Sequence, residues 1–289
     1  QRMKREVFVW SQTKHPNLHP LLGYRSEPKP RLISPWCRHG HLTHYLGKNP
    51  GLSRLDKLRL IFQAACGLEH LHAQNPPICH GDIKPENVLV NDFFIAALSD
   101  FGLSRVLDAF GHGSGFTTSD SVKGTYNYIA PELFIEDKPR PTLETDVYAF
   151  GGLILSVMSG KPPFWGLGRP RILARVTGAQ PPKPDDHQAL PISDPLWSLM
   201  HVCWNLAPEA RPPMREVLKE VSAYVNSTID LGFSPIILPT CDSFGGIFVK
   251  KNLMSGQDWV CPLSPGMMTP SFQIWILMQV SLPPIKSYF

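Results

Sequence analysis

The sequence predicts an α+β fold, with a small β remnant followed by a large helical part, and two patterns indicate it. Apolar residues recur at helical spacing over about five turns at 55–71, and a second, almost wholly apolar helix is expected at 147–158. Short apolar runs of strand length, at 18–24 and 31–36, are separated by a turn-rich break at 26–30. With 289 residues, 43% of them hydrophobic, the chain can bury the core of one large domain or two small ones.

The remaining elements follow the same two periods. The runs 88–90 and 93–98 indicate two strands joined as a tight hairpin. Thr142 is a candidate N-cap for the apolar helix, and the glycine and prolines of 160–163 end that helix. Further helices are expected at 42–46, 171–176, 196–204 and 214–225.

The charge and the cysteine pattern argue against several classes of protein. The net charge of +4 is small and spread along the chain, without the block of like charges expected of a protein that binds nucleic acid or a membrane surface. The apolar run 272–282 is too short to span a bilayer. The six cysteines occur singly and, like the histidines, lack metal-ligand spacing, so we expect reduced thiols in the cytoplasm or nucleus.

One stretch, from His80 to Asn87, carries the clearest chemical signal and reads His-Gly-Asp-Ile-Lys-Pro-Glu-Asn. Asp82 can accept or orient a hydroxyl proton, and Asn87, five residues later, can bind a metal through its amide oxygen. Lys84 can offset the negative charge of a phosphate in transfer. Asp100 opens an Asp-Phe-Gly triplet thirteen residues after Asn87, and the predicted hairpin is expected to bring it opposite this stretch.

Further motifs follow in a fixed order. They are Gly124-Thr125, the triplet Ala130-Pro131-Glu132, Asp146 at the start of the apolar helix, and Arg211. In residue types and spacing, the whole set resembles the eukaryotic protein kinase family, and within it the serine/threonine type of the tyrosine-kinase-like group. The resemblance implies a protein kinase-like fold, with a mostly α-helical large lobe and a truncated small lobe.

The resemblance also implies a role for each polar residue of the central stretch. Asp82, Lys84 and Asn87 would be catalytic, with Asp82 orienting the hydroxyl of the substrate. Asn87 and Asp100 would hold Mg²⁺, and together with Lys84 they would contact ATP.

The adenine end of the nucleotide is expected just after the second small-lobe strand. Ser34 would lie at the back of the adenine pocket, and Leu89 would line the nucleotide site. Backbone groups of Pro35 and Cys37 would face the adenine edge. Pro35 has no N–H, but the resemblance asks only for its carbonyl.

Supporting roles are implied for a second set of residues. The ring of His80 would pack under Phe101 and point toward Asp146. Glu132 and Arg211 would form a buried ion pair that braces the segment between them.

The first 38 residues depart from the family pattern. Glu6 stands where the family has a carboxylate that pairs with a lysine on the third strand, yet no third strand precedes it in this sequence. No Gly-x-Gly-x-x-Gly occurs, and the first glycine is Gly23. We therefore expect a partial small lobe and hinge at 1–38, the large lobe at 39–222, a disordered tail at 223–289, and a start within a longer domain.

Gly81 is a second departure, because most family members carry an arginine there. That arginine ordinarily pairs with a phosphate on the activation loop, which orders the loop. We therefore expect that the hydroxyl residues of this loop do not switch the enzyme through this site. They are Thr117, Thr118, Ser119 and Ser121.

Two functions follow from these observations. The first is a protein serine/threonine kinase that transfers the γ-phosphate of ATP to a protein hydroxyl, with Mg²⁺; Lys84 and Gly124-Thr125 are typical of the serine/threonine type. The second is a catalytically silent, pseudokinase-like fragment that acts as an interaction module. Asp82, Asn87 and Asp100 favour the first function, and the missing glycine-rich loop favours the second.

Overall fold

A computed structural model describes residues 10–11, 13–25, 31–100, 105–106, 125–137 and 139–230. Its strands are β1 (Gly23–Arg25), β2 (Arg31–Ile33), β3 (Ile78–Cys79), β4 (Val88–Val90), β5 (Ala96–Leu98) and β6 (Arg105–Val106). Its helices are α1 (Leu42–Lys48), α2 (Arg54–His72), α3 (Glu132–Ile135), α4 (Leu143–Ser159), α5 (Arg169–Thr177), α6 (Leu196–Cys203) and α7 (Met214–Asp230). Among the described residues the strands form three two-stranded antiparallel sheets, β1–β2, β3–β6 and β4–β5, so the predicted α+β class is confirmed.

Helix α2 forms the centre of the core. Ser53 caps its first turn in a capping box with Asp56, which supplies acceptors for backbone N–H groups that lack a helical partner. Leu58, Ile61 and Leu68 are fully buried. The helix packs against α7, α4 and β5, and the long helix predicted from the apolar spacing is confirmed.

Helix α4 is buried along nearly its whole length, as its apolar sequence predicts. Thr142 caps it: its hydroxyl accepts a hydrogen bond from the N–H of Thr145, whose hydroxyl lies 2.9 Å from the N–H of Thr142. Gly160 ends the helix in the left-handed region, at φ 74°, where a residue without Cβ has no steric cost. The first turn of α4 also carries a buried carboxylate, that of Asp146.

The β4–β5 hairpin brings the two ends of the predicted site together. Its register pairs Val88 with Leu98 and Val90 with Ala96, so the residues just before β4 and just after β5 are neighbours. The N–H of Ser99 donates to the carbonyl of Asn87 at 2.8 Å. The predicted hairpin is confirmed, and Asp100 follows Ser99 directly.

The two small-lobe strands are shorter than the expected runs 18–24 and 31–36. Only three residues pair on each side, Gly23 to Arg25 with Arg31 to Ile33. The segment before them joins the large lobe instead: the N–H of His19 donates to the carbonyl of Leu98 at 2.7 Å, and the N–H of Leu98 donates to that of Asn17 at 2.9 Å. The first run was therefore wrong as a single strand, because its first half pairs with β5.

The C-terminal helix is longer than expected. Helix α7 continues to Asp230, and Val225 and Thr228 on it are buried. Residues 223–230, assigned from the sequence to the disordered tail, are therefore helical, because the apolar spacing of α7 continues past that boundary.

Several predictions fall outside the described residues. They concern Glu6, Phe101, Gly124, Thr117, Thr118, Ser119, Ser121, residues 231–289 and the side chain of Thr125. Among the residues that are described, none of the helices has the length and apolar character needed to cross a membrane.

Candidate active site

The predicted catalytic residues lie together in the turn between β3 and β4. The Nζ of Lys84 is 2.6 Å from Oδ2 of Asp82. The Nδ2 of Asn87 donates to the same Oδ2 at 2.8 Å and to the backbone carbonyl of Asp82 at 2.8 Å. One carboxylate oxygen thus receives two donors from residues two and five positions later.

This cluster is mostly shielded from water. The side chains of Asp82 and Lys84 are 11% and 17% exposed, and Asn87 is buried. Low exposure strengthens the attraction between the ammonium and the carboxylate relative to a surface pair. Because both donors contact Oδ2, the carboxylate is fixed in one orientation, and its Oδ1 is the oxygen left for another hydrogen-bond partner.

Asp146 fixes the backbone at the start of the turn between β3 and β4, hereafter the catalytic turn. Its Oδ2 accepts from the N–H of His80 at 2.7 Å and its Oδ1 from the N–H of Gly81 at 2.8 Å. The Nε2 of His72 lies 3.0 Å from Oδ2. Burial alone would raise the pKa of Asp146, but the hydrogen bonds and the charges of His72 and His80 outweigh it, so the pKa lies below its usual value.

The prediction that the His80 ring points toward Asp146 was wrong in detail. The backbone N–H of His80 makes that contact, and the ring turns to the hairpin, with Nε2 3.1 Å from the carbonyl of Ser99. Its Nδ1 accepts from the N–H of Asp82 at 3.3 Å. An imidazole with its proton on Nε2 satisfies both contacts, so His80 links the catalytic turn to the end of β5.

His72 was missed because its signal lies in three dimensions. It is the last residue of α2, eight positions before His80, and the sequence gives no sign that it reaches α4.

Asn87 and Asp100 offer the oxygen ligands expected of a magnesium site. Among the described residues, both side-chain hydrogen bonds of Asn87 use Nδ2, so its amide oxygen is available to a cation. Asp100 is exposed and has φ 62°, a conformation that costs a non-glycine residue about 1–2 kcal/mol and that occurs often at functional sites. An amide oxygen and a carboxylate fit a hard cation that takes its other ligands from phosphate and water.

The residues predicted to contact adenine differ in exposure and do not form a compact cluster like that of the catalytic turn. Ser34 is exposed, Pro35 and Leu89 are half-buried, and Cys37 is buried. The carbonyl of Cys37 accepts from the N–H of Gly40 at 3.0 Å, and that of Pro35 takes a hydrogen bond from the ring of His19. A carbonyl can accept two hydrogen bonds, so contact with adenine stays a prediction.

The thiol of Cys37 is expected to be unreactive at neutral pH. Burial, and secondarily the charge of Asp92, raise its pKa to about 11, so the reactive thiolate is scarce at neutral pH.

His19 is a second residue that sequence reasoning did not single out. Burial lowers its pKa to about 4, and the hydrogen bond to Pro35 only partly opposes this effect.

Arg211 and Glu132 form the expected brace. The two guanidinium nitrogens Nη1 and Nη2 contact Oε1 and Oε2 of Glu132 at 2.6 and 2.8 Å. The arginine side chain is fully buried, and its remaining donors reach the carbonyls of Asn205 and Glu144. Its guanidinium also lies 5.1 Å from the ring of Tyr148, so the start of α3 is fixed to α4 and to the segment before α7.

Comparison with known proteins identifies a family for this chain. The family model of protein tyrosine and serine/threonine kinases matches residues 1–221. A leucine-rich repeat receptor-like serine/threonine-protein kinase of Arabidopsis thaliana is 32% identical over 234 residues, which are 77% of this chain and 25% of the relative.

Two animal proteins are similar to a comparable degree. Human receptor-interacting serine/threonine-protein kinase 3 is 30% identical over 223 residues, 74% of this chain and 42% of the relative. Mouse ankyrin repeat and protein kinase domain-containing protein 1 is 31% identical over 194 residues, 65% of this chain and 25% of the relative. The chain thus spans less than half the length of each of these relatives. On the match of the family model over 221 of its 289 residues, the chain belongs to the protein tyrosine and serine/threonine kinase family.

Proposed function

We propose that this chain carries a protein serine/threonine kinase domain, which transfers the γ-phosphate of ATP to a protein hydroxyl. The observation that carries the proposal is the contact set of Asp82, Lys84 and Asn87, all joined through one carboxylate oxygen. Membership of the kinase family and the names of the similar proteins, which include serine/threonine kinases of plants and animals, support it.

Asp82 orients the acceptor hydroxyl. Its Oδ2 is held by Lys84 and Asn87, which leaves Oδ1 to accept the hydroxyl proton as the oxygen–phosphorus bond forms. A carboxylate held in one orientation loses little freedom when the substrate binds, which favours the geometry of attack.

Lys84 stabilises charge on the phosphoryl group. Its ammonium already lies at the catalytic carboxylate, with 17% of its side chain exposed, and it can turn toward a phosphate oxygen without leaving the site. Electrostatic stabilisation by a prepositioned cation is effective where water is largely excluded.

Asn87 and Asp100 form the cation site. Bound Mg²⁺ would offset the charge of the nucleotide phosphates. The hydrogen bonds from Ser99 to the carbonyl of Asn87, from N–H at 2.8 Å and from Oγ at 3.0 Å, keep the two ligand residues at one end of the hairpin. Ser34, Pro35, Cys37 and Leu89 remain the proposed adenine side of the site.

The test is a phosphotransfer assay with radiolabelled ATP, Mg²⁺ and a mixture of serine- and threonine-containing peptides, performed on the full 289-residue chain. Asp82→Asn keeps the side-chain volume but removes the proton acceptor, and we expect activity to fall by about 100-fold or more. Asp185→Asn, an exposed aspartate in the turn before α6, is the matched control and should retain wild-type activity.

Two results would contradict the proposal. Equal activity in wild type and Asp82→Asn would show that the phosphate transfer comes from elsewhere. A wild-type chain that is folded and binds Mg-ATP but transfers no phosphate would instead favour the silent interaction module.

A further inference from the structure

A cavity of about 230 Å³ lies outside the catalytic site, at the C-terminal end of α5. Its lining combines apolar residues, among them Val176, Tyr148 of α4, and Trp204 and Leu206 after α6, with the polar residues Gln180, His201 and Asn205. Leu206 is 52% exposed, so the cavity opens to the surface. Its volume suits one large apolar side chain rather than a whole cofactor.

The backbone that follows α5, at the edge of the cavity, has a defined conformation. Gln180 is fixed by a hydrogen bond from its N–H to the carbonyl of Arg175 at 2.9 Å. Ala179 has φ 62°, a left-handed conformation that is strained for an alanine. Strain of this kind persists only where the surroundings impose it, and it is concentrated at functional sites.

The surface beside the cavity is basic. From 147 to 184 the sequence contains five lysines and arginines and no aspartate or glutamate. Besides Arg169, two of the five lie on α5, whose C-terminal end borders the cavity, namely Arg171, which is exposed, and Arg175, which is half-buried. Neither arginine has a carboxylate within 4.0 Å among the described residues, and no acidic residue lines the cavity.

The basic residue at the start of α5 shows how the others differ. The guanidinium of Arg169 lies 4.9 Å from the ring of Tyr126, which holds α5 against the segment before α3. The same face of the helix buries Ile172 and Val176, which pack in one cluster with Tyr126. Arg169 therefore has a structural contact within the domain, whereas Arg171 and Arg175 carry two positive charges on the helix whose C-terminal end lines the cavity.

We propose that this cavity and the adjoining face of α5 form a docking site for an acidic linear segment of a partner protein. One apolar side chain of the segment, aromatic or branched aliphatic, fills the cavity, and flanking carboxylates pair with Arg171 and Arg175. Charge complementarity selects this partner, since α5 presents two cations that pair with no carboxylate among the described residues, at the end of a cavity whose lining residues are mostly apolar. Docking requires no phosphate transfer, so it can be tested independently of the proposed kinase activity.

The site also contacts the brace of the kinase domain. Pro131, which directly precedes Glu132, lines the cavity, and the ring of Tyr148 lies under the guanidinium of Arg211. A docked segment would therefore touch the elements that anchor the segment before α3, at a distance from the nucleotide.

Fluorescence anisotropy on the full chain tests this proposal, with the fluorescein-labelled peptide Glu-Asp-Glu-Phe-Glu-Asp-Glu as the probe. We expect saturable binding that weakens with added salt. The dissociation constant should rise at least about fivefold when glycine replaces the phenylalanine, and also when glutamine and asparagine replace the acidic residues. The double variant Arg171→Glu/Arg175→Glu should bind about tenfold more weakly. Gln180 is exposed, and Gln180→Trp places a large ring in the cavity. In this variant the phenylalanine and glycine peptides should bind with equal affinity.

The matched control is Arg215→Glu/Lys219→Glu, which reverses two exposed charges on α7 and should bind like wild type. Four outcomes would overturn the proposal. They are the absence of binding up to about 1 mM peptide, equal binding of the uncharged peptide, an equal loss in the control variant, and tighter binding of a single-stranded oligothymidylate than of the peptide.

Discussion

One ion pair lies in the catalytic turn and another beside the hinge, and the two differ in the distance between their charged atoms and in their exposure to water. Asp82 and Lys84 are 2.6 Å apart, with side chains 11% and 17% exposed. Arg38 and Asp92 beside the hinge are 3.7 Å apart, with side chains 77% and 46% exposed. Water and salt screen the second pair far more than the first, so the first holds its charged groups in position more firmly.

The same contrast extends to the apolar side chains around each region. Trp36 in the hinge is 85% exposed, and Tyr24 on β1 is 58% exposed. Ile83 in the catalytic turn and Phe150 on α4 are buried almost completely. The large lobe thus fixes the catalytic geometry from its own core, while the hinge and the β1–β2 hairpin contribute little to holding it.

The largest expected effect comes from breaking the buried brace. Arg211→Ala leaves Glu132 without its partner and removes a fully buried guanidinium, which should lower the free energy of unfolding by about 3–5 kcal/mol. Urea unfolding measures this change. Arg38→Ala, the control from the exposed pair, should cost no more than about 1 kcal/mol. Similar losses in both variants would remove the contrast between the two regions.

A smaller effect is expected where the N-terminal segment meets α2. A Cβ on Gly67 would lie 2.4 Å from the carbonyl oxygen of Asn17, so Gly67→Ala must displace backbone and should cost about 3 kcal/mol. Gly47→Ala on the exposed face of α1 meets nothing within 4 Å and should stabilise by about 0.5–1 kcal/mol. Thermal and urea unfolding compare the two; a neutral Gly67→Ala would mean that the segment 17–19 is not held against the large lobe.

Acid should weaken the N-terminal segment before it affects the catalytic turn. Burial lowers the pKa of His15 and of His19 to about 4, and the charge of His70 adds to the effect on His15. The folded state therefore binds fewer protons than the unfolded state below pH 6.5, and stability falls between about pH 6.5 and pH 4. The lowered pKa of Asp146 acts in a lower window, since its contribution is lost only as pH falls below the usual value of 3.8.

Urea unfolding at pH 7 and pH 5 measures this loss, which we expect to be about 1–2 kcal/mol. His15→Gln should reduce the dependence on pH, whereas His44→Gln, at an exposed position on α1, should not. A stability that does not change between pH 7 and pH 5 would contradict the burial of these rings.

The smallest effect is expected from the hydroxyl residues between Asp100 and Glu132. With Gly81 in place of the usual arginine, a phosphate on that segment has no guanidinium at this position to pair with. Replacing Thr117, Thr118, Ser119 and Ser121 together by alanine should leave phosphotransfer unchanged within about twofold. A large loss of activity would show that the segment is switched in spite of Gly81.

The sequence predicts the fold wherever local patterns and tertiary packing agree. The apolar spacing that predicts α2 and α4 is the spacing of their buried faces, and Thr142 caps α4 because its hydroxyl can reach an N–H of the first turn. The β4–β5 hairpin could be read from its two short apolar runs. That hairpin in turn explains why Asn87 and Asp100 lie at the same end of the two strands.

The parts that could not be predicted depend on contacts between distant segments. His72 reaches Asp146 across 74 positions of the chain, and Asn17 and His19 pair with β5 rather than with a small-lobe strand. The ring of His80 is directed by the carbonyl of Ser99, which a linear pattern does not reveal. Such hydrogen bonds are decided by which buried polar groups need partners, and that becomes known only once the core has formed.

The central claim is that the large lobe holds a nucleotide site built on Asn87 and Asp100. Thermal unfolding of the full chain with and without Mg-ATP tests it most directly. At a ligand concentration about a hundred times the dissociation constant, binding should add about 2.7 kcal/mol and raise the midpoint by several degrees, and Asp100→Asn should abolish the shift. No shift at millimolar Mg-ATP, or the same shift in Asp100→Asn, would contradict the account.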